Sequence, residues 1–491
     1  MKKTTLLLAA ATSTAAVLLA IHSSGDLHQS HYEQVLGTSL DLKIRATSTV
    51  AATAADRAVL EEFDRQAKIL SGYDPASEFS QWMKTQGQPV HISRELFEVL
   101  NLLDQFQAKT AGALNPAAEG VVQVWNRAAR EKRMPTAQEM TAAAAVAGAK
   151  HWTLDAAHQT ATHLDNAPIR LNSFTKSYIA SHAADKALAI AGVEGVVVNA
   201  GGDLIVRGKI REQIAIANPF SDAENAAPVA VLDVQNQAVA TSGDYRRGFE
   251  IGGKHYSHII DPRTGRTADS IASATVVAAD ASTAGALATA FSVMAPEESQ
   301  RLAKGAEYLL IASNGKRIAS PGWSRLQIAV APQRTASLDT EVAIELELTK
   351  IGGFRYEKPY VAVWVEDTDK FPVRTVALWY KKDRWLPDLK SWYRGDKLRH
   401  MAEGSDLSRS ISSATRPAGK YNLVWDGKDN AGKPVKPGKY TIYIEAAREH
   451  GTYQLMHQEI DLTGKAQQQF QLPGGTELAG ATIDYRKAAG H

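Results

Sequence analysis

The chain has 491 residues, 44% hydrophobic and 22% charged, with a formal net charge of +2 and no cysteine. That length exceeds one hydrophobic core, so two or three domains are expected. The near-neutral charge argues against a nucleic-acid footprint, and the lack of cysteine excludes disulfides, thiolate nucleophiles and sulfur-ligated metals.

The N-terminus reads as a cleaved secretory signal over residues 1–24. Lys2 and Lys3 form its positive start, residues 6–21 are an Ala/Leu-rich run, and Ser23-Ser24-Gly25 offers small residues for cleavage. No cysteine follows to carry a lipid anchor, and the apolar run is short for a membrane span. The expected product is periplasmic or otherwise exported, with association to the inner membrane left open. Residues 32–44 read as a strand broken at Gly37-Thr38. Residues 51–70 place Leu60, Phe63, Ala67 and Leu70 on one helix face, and the helix stops at the turn cluster Ser71-Gly72-Tyr73-Asp74-Pro75. Residues 94–109 form a second amphipathic helix. Residues 112–125 are a loop entering a third, with Pro116 near its first turn, and the Ala-rich stretch 135–148 is a fourth. Two short strands over 151–171 precede a helix at 175–191.

Residues 196–208 read as a buried strand, a glycine turn and a second strand, and more strands fall over 214–241. The stretch 238–265, AVATSGDYRRGFEIGGKHYSHIIDPRTG, reads as strand, turn at Ser242-Gly243-Asp244, strand at 254–260 and turn at 261–265. These turns are expected to bring Thr241, Ser242, Asp244, Tyr245, His258, Asp261 and Thr264 to one pocket. A strand at 271–279 leads to a helix at 282–294, with Ser282 or Thr283 as N-cap. A boundary is expected at 333–341. Beyond it the chain is strand-rich and helix-poor, with hairpin turns at Asp426-Gly427, Asn430-Ala431-Gly432 and Pro437-Gly438. The fold class is α+β: mixed sheets with flanking helices over 30–332, then a β-sandwich-like, immunoglobulin-like domain over 342–491.

The motifs T-S-G-D-Y at 241–245, H-I-I-D-P-R-T-G at 258–265 and N-A-G-G-D at 199–203 together resemble the ApbE family, flavin transferases of bacterial envelopes. L-G-T at 36–38, S-G-Y-D-P-A-S-E-F at 71–79, G-A-L-N-P-A-A-E-G-V-V-Q-V-W at 112–125, Lys176-Ser177-Tyr178 and A-L-A-T-A-F at 286–291 agree with it. The resemblance covers about residues 30–320. Residues 362–394 look like a periplasmic domain of unknown function found near such transferases. Residues 421–446 resemble the immunoglobulin-like domain of flagellar hook-cap proteins.

The resemblance implies a transferase that cleaves the diphosphate of FAD, moves FMN onto a Thr or Ser hydroxyl of a target envelope flavoprotein, and releases AMP. Such transfer needs in-line positioning, charge neutralisation and an activated hydroxyl. His258 takes the place of the family's base and is the residue type that titrates near neutrality. Leu36, Tyr73, Ala113, Leu114, Asn115, Arg170, Lys176, Thr241, Ser242 and Ile260 are the implied flavin-nucleotide contacts. Magnesium, which takes hard oxygen ligands, is implied at Ser173 and Thr289.

The chain departs from the family pattern at that metal. Gly285 stands where the family has a ligand Asp, Arg170 and Asn115 replace other Asp residues, and Ala117 replaces a Thr. Whether Asp280, Asp269 or Asp203 supplies the missing carboxylate is left open by the sequence. Two readings follow. In one, the transferase works, with Arg170 and Lys176 supplying part of the metal's charge. In the other, the chain is a non-catalytic flavin-binding or envelope-assembly protein. A third makes residues 342–491 the functional module, binding an envelope partner.

Overall fold

The computed structural model describes residues 25–243, 248–328, 340–351, 358–381, 383–403, 412–413, 415–449, 451–463 and 467–487. The signal segment, Asp244, Tyr245 and residues 333–339 of the expected boundary lie outside the described residues.

Eight strands form the central sheet: Asp26–Val35 (β1), Thr38–Ala46 (β2), Val193–Ala200 (β3), Asp203–Gly208 (β4), Ala238–Gly243 (β5), Ile271–Ala278 (β6), Ala306–Ala312 (β7) and Arg317–Ala319 (β8). They lie side by side in chain order, each antiparallel to the next. Alternation decides what each strand buries, because successive side chains point to opposite faces. Val196, Val198 and Ala200 of β3 face the helices, while Val197 faces the other layer. That layer is the hairpin of Glu212–Ile216 and Ala230–Val234, with Trp323.

The longer helices of this part are Thr49–Leu70 (α1), Arg94–Lys109 (α2), Glu119–Arg130 (α3), Ala137–Ala147 (α4), Thr175–Leu188 (α5) and Ala281–Phe291 (α6). Side chains that accept first-turn N–H groups start most of them: Ser48 for α1, Ser93 for α2, and a Thr136–Glu139 capping box for α4. For α6 the expected cap is corrected. Asp280, not Ser282 or Thr283, accepts from the Thr283 N–H at 2.6 Å. A carboxylate suits the positive end of a helix better than a hydroxyl.

The stretch 238–265 is also corrected. Ser242 and Gly243 do not turn; they continue β5 and pair with Ala274 and Ser273 of β6. The later residues form a separate hairpin, Gly248–Ile251 with Lys254–Ser257, and a two-residue pair, Ile260–Asp261 with Arg266–Thr267.

From residue 340 the chain builds two further sheets with their own apolar core. The strands are Thr340–Leu348 (β9), Tyr360–Glu366 (β10), Pro372–Trp379 (β11), Gly419–Trp425 (β12), Lys439–Ala447 (β13), Tyr453–Asp461 (β14), Gln468–Pro473 (β15) and Leu478–Lys487 (β16). One sheet runs β12-β9-β16-β15, and the other has β11-β10-β13-β14 with Ser412–Ser413 at its edge, in a sandwich-like arrangement. The region is strand-rich and helix-poor, as expected. The helix Lys390–Glu403 (α7) crosses this region, its first turn anchored by the buried Glu445, which accepts from the Ser391 and Trp392 N–H groups. The W-D-G segment closes a small antiparallel turn, with Lys428 bridged to Pro434, but it does not pair its flanking strands: β12 and β13 lie in different sheets, so residues 426–438 cross between them. The Asp429 carboxylate accepts from the Ala431 and Lys433 N–H groups and holds that crossing locally.

The loop before Ala230–Val234 reaches the second set of sheets. Ala223 forms a parallel bridge with Asn422, and Asn225 both donates to the Val424 carbonyl at 2.8 Å and accepts from its N–H at 2.9 Å. Glu224 pairs with Arg416 at 3.0 Å. Among the described residues no helix is long and apolar enough to cross a membrane.

Candidate active site

Helix α6 sets one wall. Its Asp280 cap fixes where the helix starts, and 285, 289 and 292 then share a stripe, being three and four residues apart. Thr289 donates from Oγ1 to the Ser173 carbonyl at 3.0 Å, with the Gly285 carbonyl at 3.1 Å. Ser292, fully buried, joins its hydroxyl to that of Ser242 on β5 at 2.9 Å. The implied metal position Ser173 and the implied ligand Thr289 are therefore in contact, and Ser242 of β5 meets the next residue of the stripe, Ser292.

The facing wall is the start of α5. Phe174 is buried, and Ser177 is buried with its hydroxyl donating to Asp203 at 2.9 Å. Gly285 is pressed against both. A Cβ there would sit 2.6 Å from Ser177 Oγ, 3.1 Å from Phe174 Cβ and 3.2 Å from Phe174 Cα. Burial raises the pKa of Asp203, and the Lys176 charge and the Ser177 hydrogen bond partly offset it. Lys176 itself is half-buried, and its side chain has no hydrogen bond or ion pair among the described residues.

Asp203 closes the N-A-G-G-D turn. Asn199 accepts from the Gly202 N–H at 3.0 Å, and Gly201 adopts φ +60. A Cβ on Gly201 would collide with Thr38, so this glycine lets the turn meet the L-G-T segment. Leu36 sits in that segment at φ 50, in the β1–β2 turn, half-buried against the helix-side core.

A second group of implied residues surrounds Arg170. Its guanidinium lies 5.7 Å from the Tyr73 ring centroid, donates to the Gly72 carbonyl at 3.3 Å and approaches Glu119 at 3.6 Å. Tyr73 is 80% exposed. The Arg170 N–H donates to the Pro116 carbonyl, which ties this loop to residues 113–116. There Ala113 and Leu114 are buried. Asn115 donates to the Ala147 carbonyl and accepts from the Ala117 N–H, both at 2.8 Å, so its amide shapes the loop.

The 258–265 segment packs beside it. His258 is half-buried in the bend after Ser257, whose hydroxyl accepts from the Ile259 N–H at 2.9 Å. Ile260 is buried with Trp125, Phe249 and Ile251 rather than in the open. Asp261 holds Arg263 at 2.9 Å, and Arg263 Cγ is 3.7 Å from where a Gly112 Cβ would be. Gly265, at φ +73, gives its carbonyl to the Trp125 indole N–H. Thr241 is exposed and bonded to Thr275 at 2.9 Å.

The implied residues thus fall into two groups. Ser173, Lys176, Ser242 and Thr289 gather where α5 meets α6. Tyr73, Arg170 and Asn115 gather around the loop before α3, with Arg263 beside Gly112 and Ile260 against Trp125. Sequence reasoning missed Ser292, Phe174 and Glu119. The i+3 spacing of Ser292 from Thr289 was the one available signal.

Magnesium does not fit the residues present. Thr289 and Ser173 offer two neutral oxygens already bonded to each other. Asp280 is occupied as a helix cap, Gly285 has no room for a side chain, and among the described residues no three carboxylate or imidazole groups cluster to hold a metal.

With this geometry in place, residues 36–310 match the model described as ApbE family. The chain belongs to the ApbE family. Residues 341–480 match a second model, Predicted periplasmic protein (DUF2271); the likeness of the W-D-G segment to hook-cap domains stays a resemblance only. Among curated ApbE relatives, the FAD:protein FMN transferase of Vibrio cholerae is 31% identical, over 55% of this chain and 82% of the relative. The Escherichia coli K12 protein of the same name is 29% identical, over 50% of this chain and 72% of the relative. The crystal structure of the ApbE protein from Thermotoga maritima aligns at 25% identity and a TM-score of 0.55, over 62% of this chain and all of that one.

Proposed function

We propose that residues 30–332 form an FAD:protein FMN transferase working outside the cytoplasm, and that residues 342–491 form an accessory unit for an envelope partner. The observation that carries this is Lys176, a half-buried ammonium without an ion-pair partner among the described residues, standing where α5 begins. Such a place suits a dinucleotide diphosphate, because helix N-termini and ammonium groups both favour anions. The flavin-bearing phosphorus would be attacked by a Thr or Ser hydroxyl of the target protein. The bond from that phosphorus to the bridging oxygen breaks, and AMP leaves with the oxygen. His258 takes the hydroxyl proton.

The test is covalent flavin on a target. The purified protein is incubated with FAD, with and without magnesium, and an acceptor protein that the Vibrio cholerae relative modifies. FMN appears on the acceptor, seen by in-gel fluorescence and mass. His258→Ala slows transfer by about 10²–10⁴-fold while FAD binding persists. No transfer, beside an active relative, would sink the enzyme reading.

The tight fit of Ser177 against Gly285 favours a second reading, a flavin-binding protein without transfer. Its signature is FAD retained at one site with the acceptor unmodified.

A further inference from the structure

We propose that this site holds its nucleotide without a divalent cation, because Ser177 fills the space that a cation-binding side chain at position 285 would need. The proposal rests on the flavin-transferase reading above and concerns the same corner.

The geometry is specific. A Cβ at position 285 would approach a buried hydroxyl on a neighbouring helix to 2.6 Å, too close to stand unless that hydroxyl moves. Backbone sets the rest of the limit: the Phe174 Cα is at 3.2 Å. Ser177 cannot simply swing away without giving up its hydrogen bond to Asp203, and a buried acceptor left bare is costly. The volume at 177 and the missing volume at 285 are therefore one feature. A carboxylate on α6 and a hydroxyl on α5 exclude each other.

Charge points the same way. Of the oxygens near the corner, Thr289 Oγ1 and the Ser173 carbonyl satisfy each other and carry no net charge, and the one carboxylate, Asp203, is buried and accepts from Ser177. A dication takes several hard oxygens, and one engaged carboxylate with two neutral oxygens leaves it short of them. Lys176 already supplies one positive charge beside Asp203, so an anionic diphosphate meets a cation belonging to the chain. A fixed ammonium is a compact point charge that can reorient to follow a phosphate oxygen.

The exchange predicts its own reversal. Ser177→Gly clears the hydroxyl, and Gly285→Asp then has room. The experiment follows Mn²⁺ as a magnetic probe, by its free-ion resonance, on the full chain without nucleotide. FAD affinity is measured separately in EDTA and in excess magnesium. The wild type takes up no Mn²⁺, and its FAD affinity agrees within about twofold in the two buffers. Gly285→Asp alone takes up no Mn²⁺ and melts lower. Ser177→Gly/Gly285→Asp takes up Mn²⁺, and its FAD affinity becomes magnesium-dependent by about tenfold or more.

Stoichiometric Mn²⁺ uptake by the wild type, or a tenfold loss of FAD affinity in EDTA, overturns the proposal. So does a folded double variant that ignores Mn²⁺. If the double variant fails to fold, the wild-type titration alone decides. If FAD binds in neither buffer, the flavin reading fails, and the Mn²⁺ arm still reports on the cation.

Discussion

Asp203 is the carboxylate that the corner between α5 and α6 retains, and burial makes its charge expensive. Its raised pKa means that the folded state holds the proton more tightly than the unfolded chain does. Its contribution to stability is present at low pH and is lost as pH rises through the raised value. Asp203→Asn keeps an acceptor for Ser177 and removes the charge. It should raise the melting temperature at pH 7, by an increment that shrinks toward pH 4. Lys176→Ala should weaken FAD binding by about tenfold, since a partly shielded charge pair is worth on the order of 1 kcal/mol. The sequence pointed to Ser173 and Thr289 only through the family pattern, as two positions at one metal; their direct hydrogen bond came from the structure. The packing of Ser177 on Gly285 was not legible in the sequence. The two residues lie on different helices, and no local pattern tells that one helix withholds a side chain where the other supplies one.

Among the elements, α6 has the most to lose from a change at its end. Asp280→Ala removes the acceptor of the Thr283 N–H and should cost about 1 kcal/mol, read as a lower denaturation midpoint with an unchanged slope. The contacts of Thr289 and Ser292 depend on the same helix, so FAD affinity should fall in step with stability. Helices were the easiest elements to read. The stretch 94–109 agrees with Arg94–Lys109 because an amphipathic stripe and a serine cap are local signals. Strand partners were harder. The stretch 238–265 contains turn residues in hairpin order, yet β5 pairs with β6, beyond the end of the stretch. In the C-terminal sheets, local turns around 426–438 conceal a crossing between layers. Turn chemistry announces a change of direction without naming the strand that comes next to it.

At the scale of the whole molecule, one polar chain connects the N-A-G-G-D turn to the second set of sheets. Asn199 donates to Asp41 at 3.1 Å, and His31 meets Asp41 at 2.5 Å and Glu33 at 3.1 Å. Glu33 is held in turn by Lys358 and by Thr415 at 3.2 Å. Both ring nitrogens of His31 face carboxylates, an arrangement that suits the imidazolium. Burial opposes that charge, but the hydrogen bonds to Asp41 and Glu33 outweigh it and raise the pKa above 6.5. Glu33 is also opposed by burial, yet Lys358 and His31 hold its pKa below 4.5. The His31 contribution is present below 6.5 and is lost as pH rises through the raised value; that of Glu33 is present above 4.5 and is lost as pH falls through the lowered one. The junction should be tightest between these limits, and amide exchange in β10 and β12 should quicken as pH rises through the raised His31 value. His31→Ala should remove that pH dependence at a cost of about 1–3 kcal/mol. The Asn225 amide has a different consequence. It occupies the outer edge of β12, where an unpaired strand would otherwise offer its backbone to any passing chain. With the Ala223–Asn422 bridge, this side chain covers an edge that would otherwise be open to another strand. Asn225→Ala with Ala223→Pro should make the full chain sediment as concentration-dependent oligomers while the wild type does not.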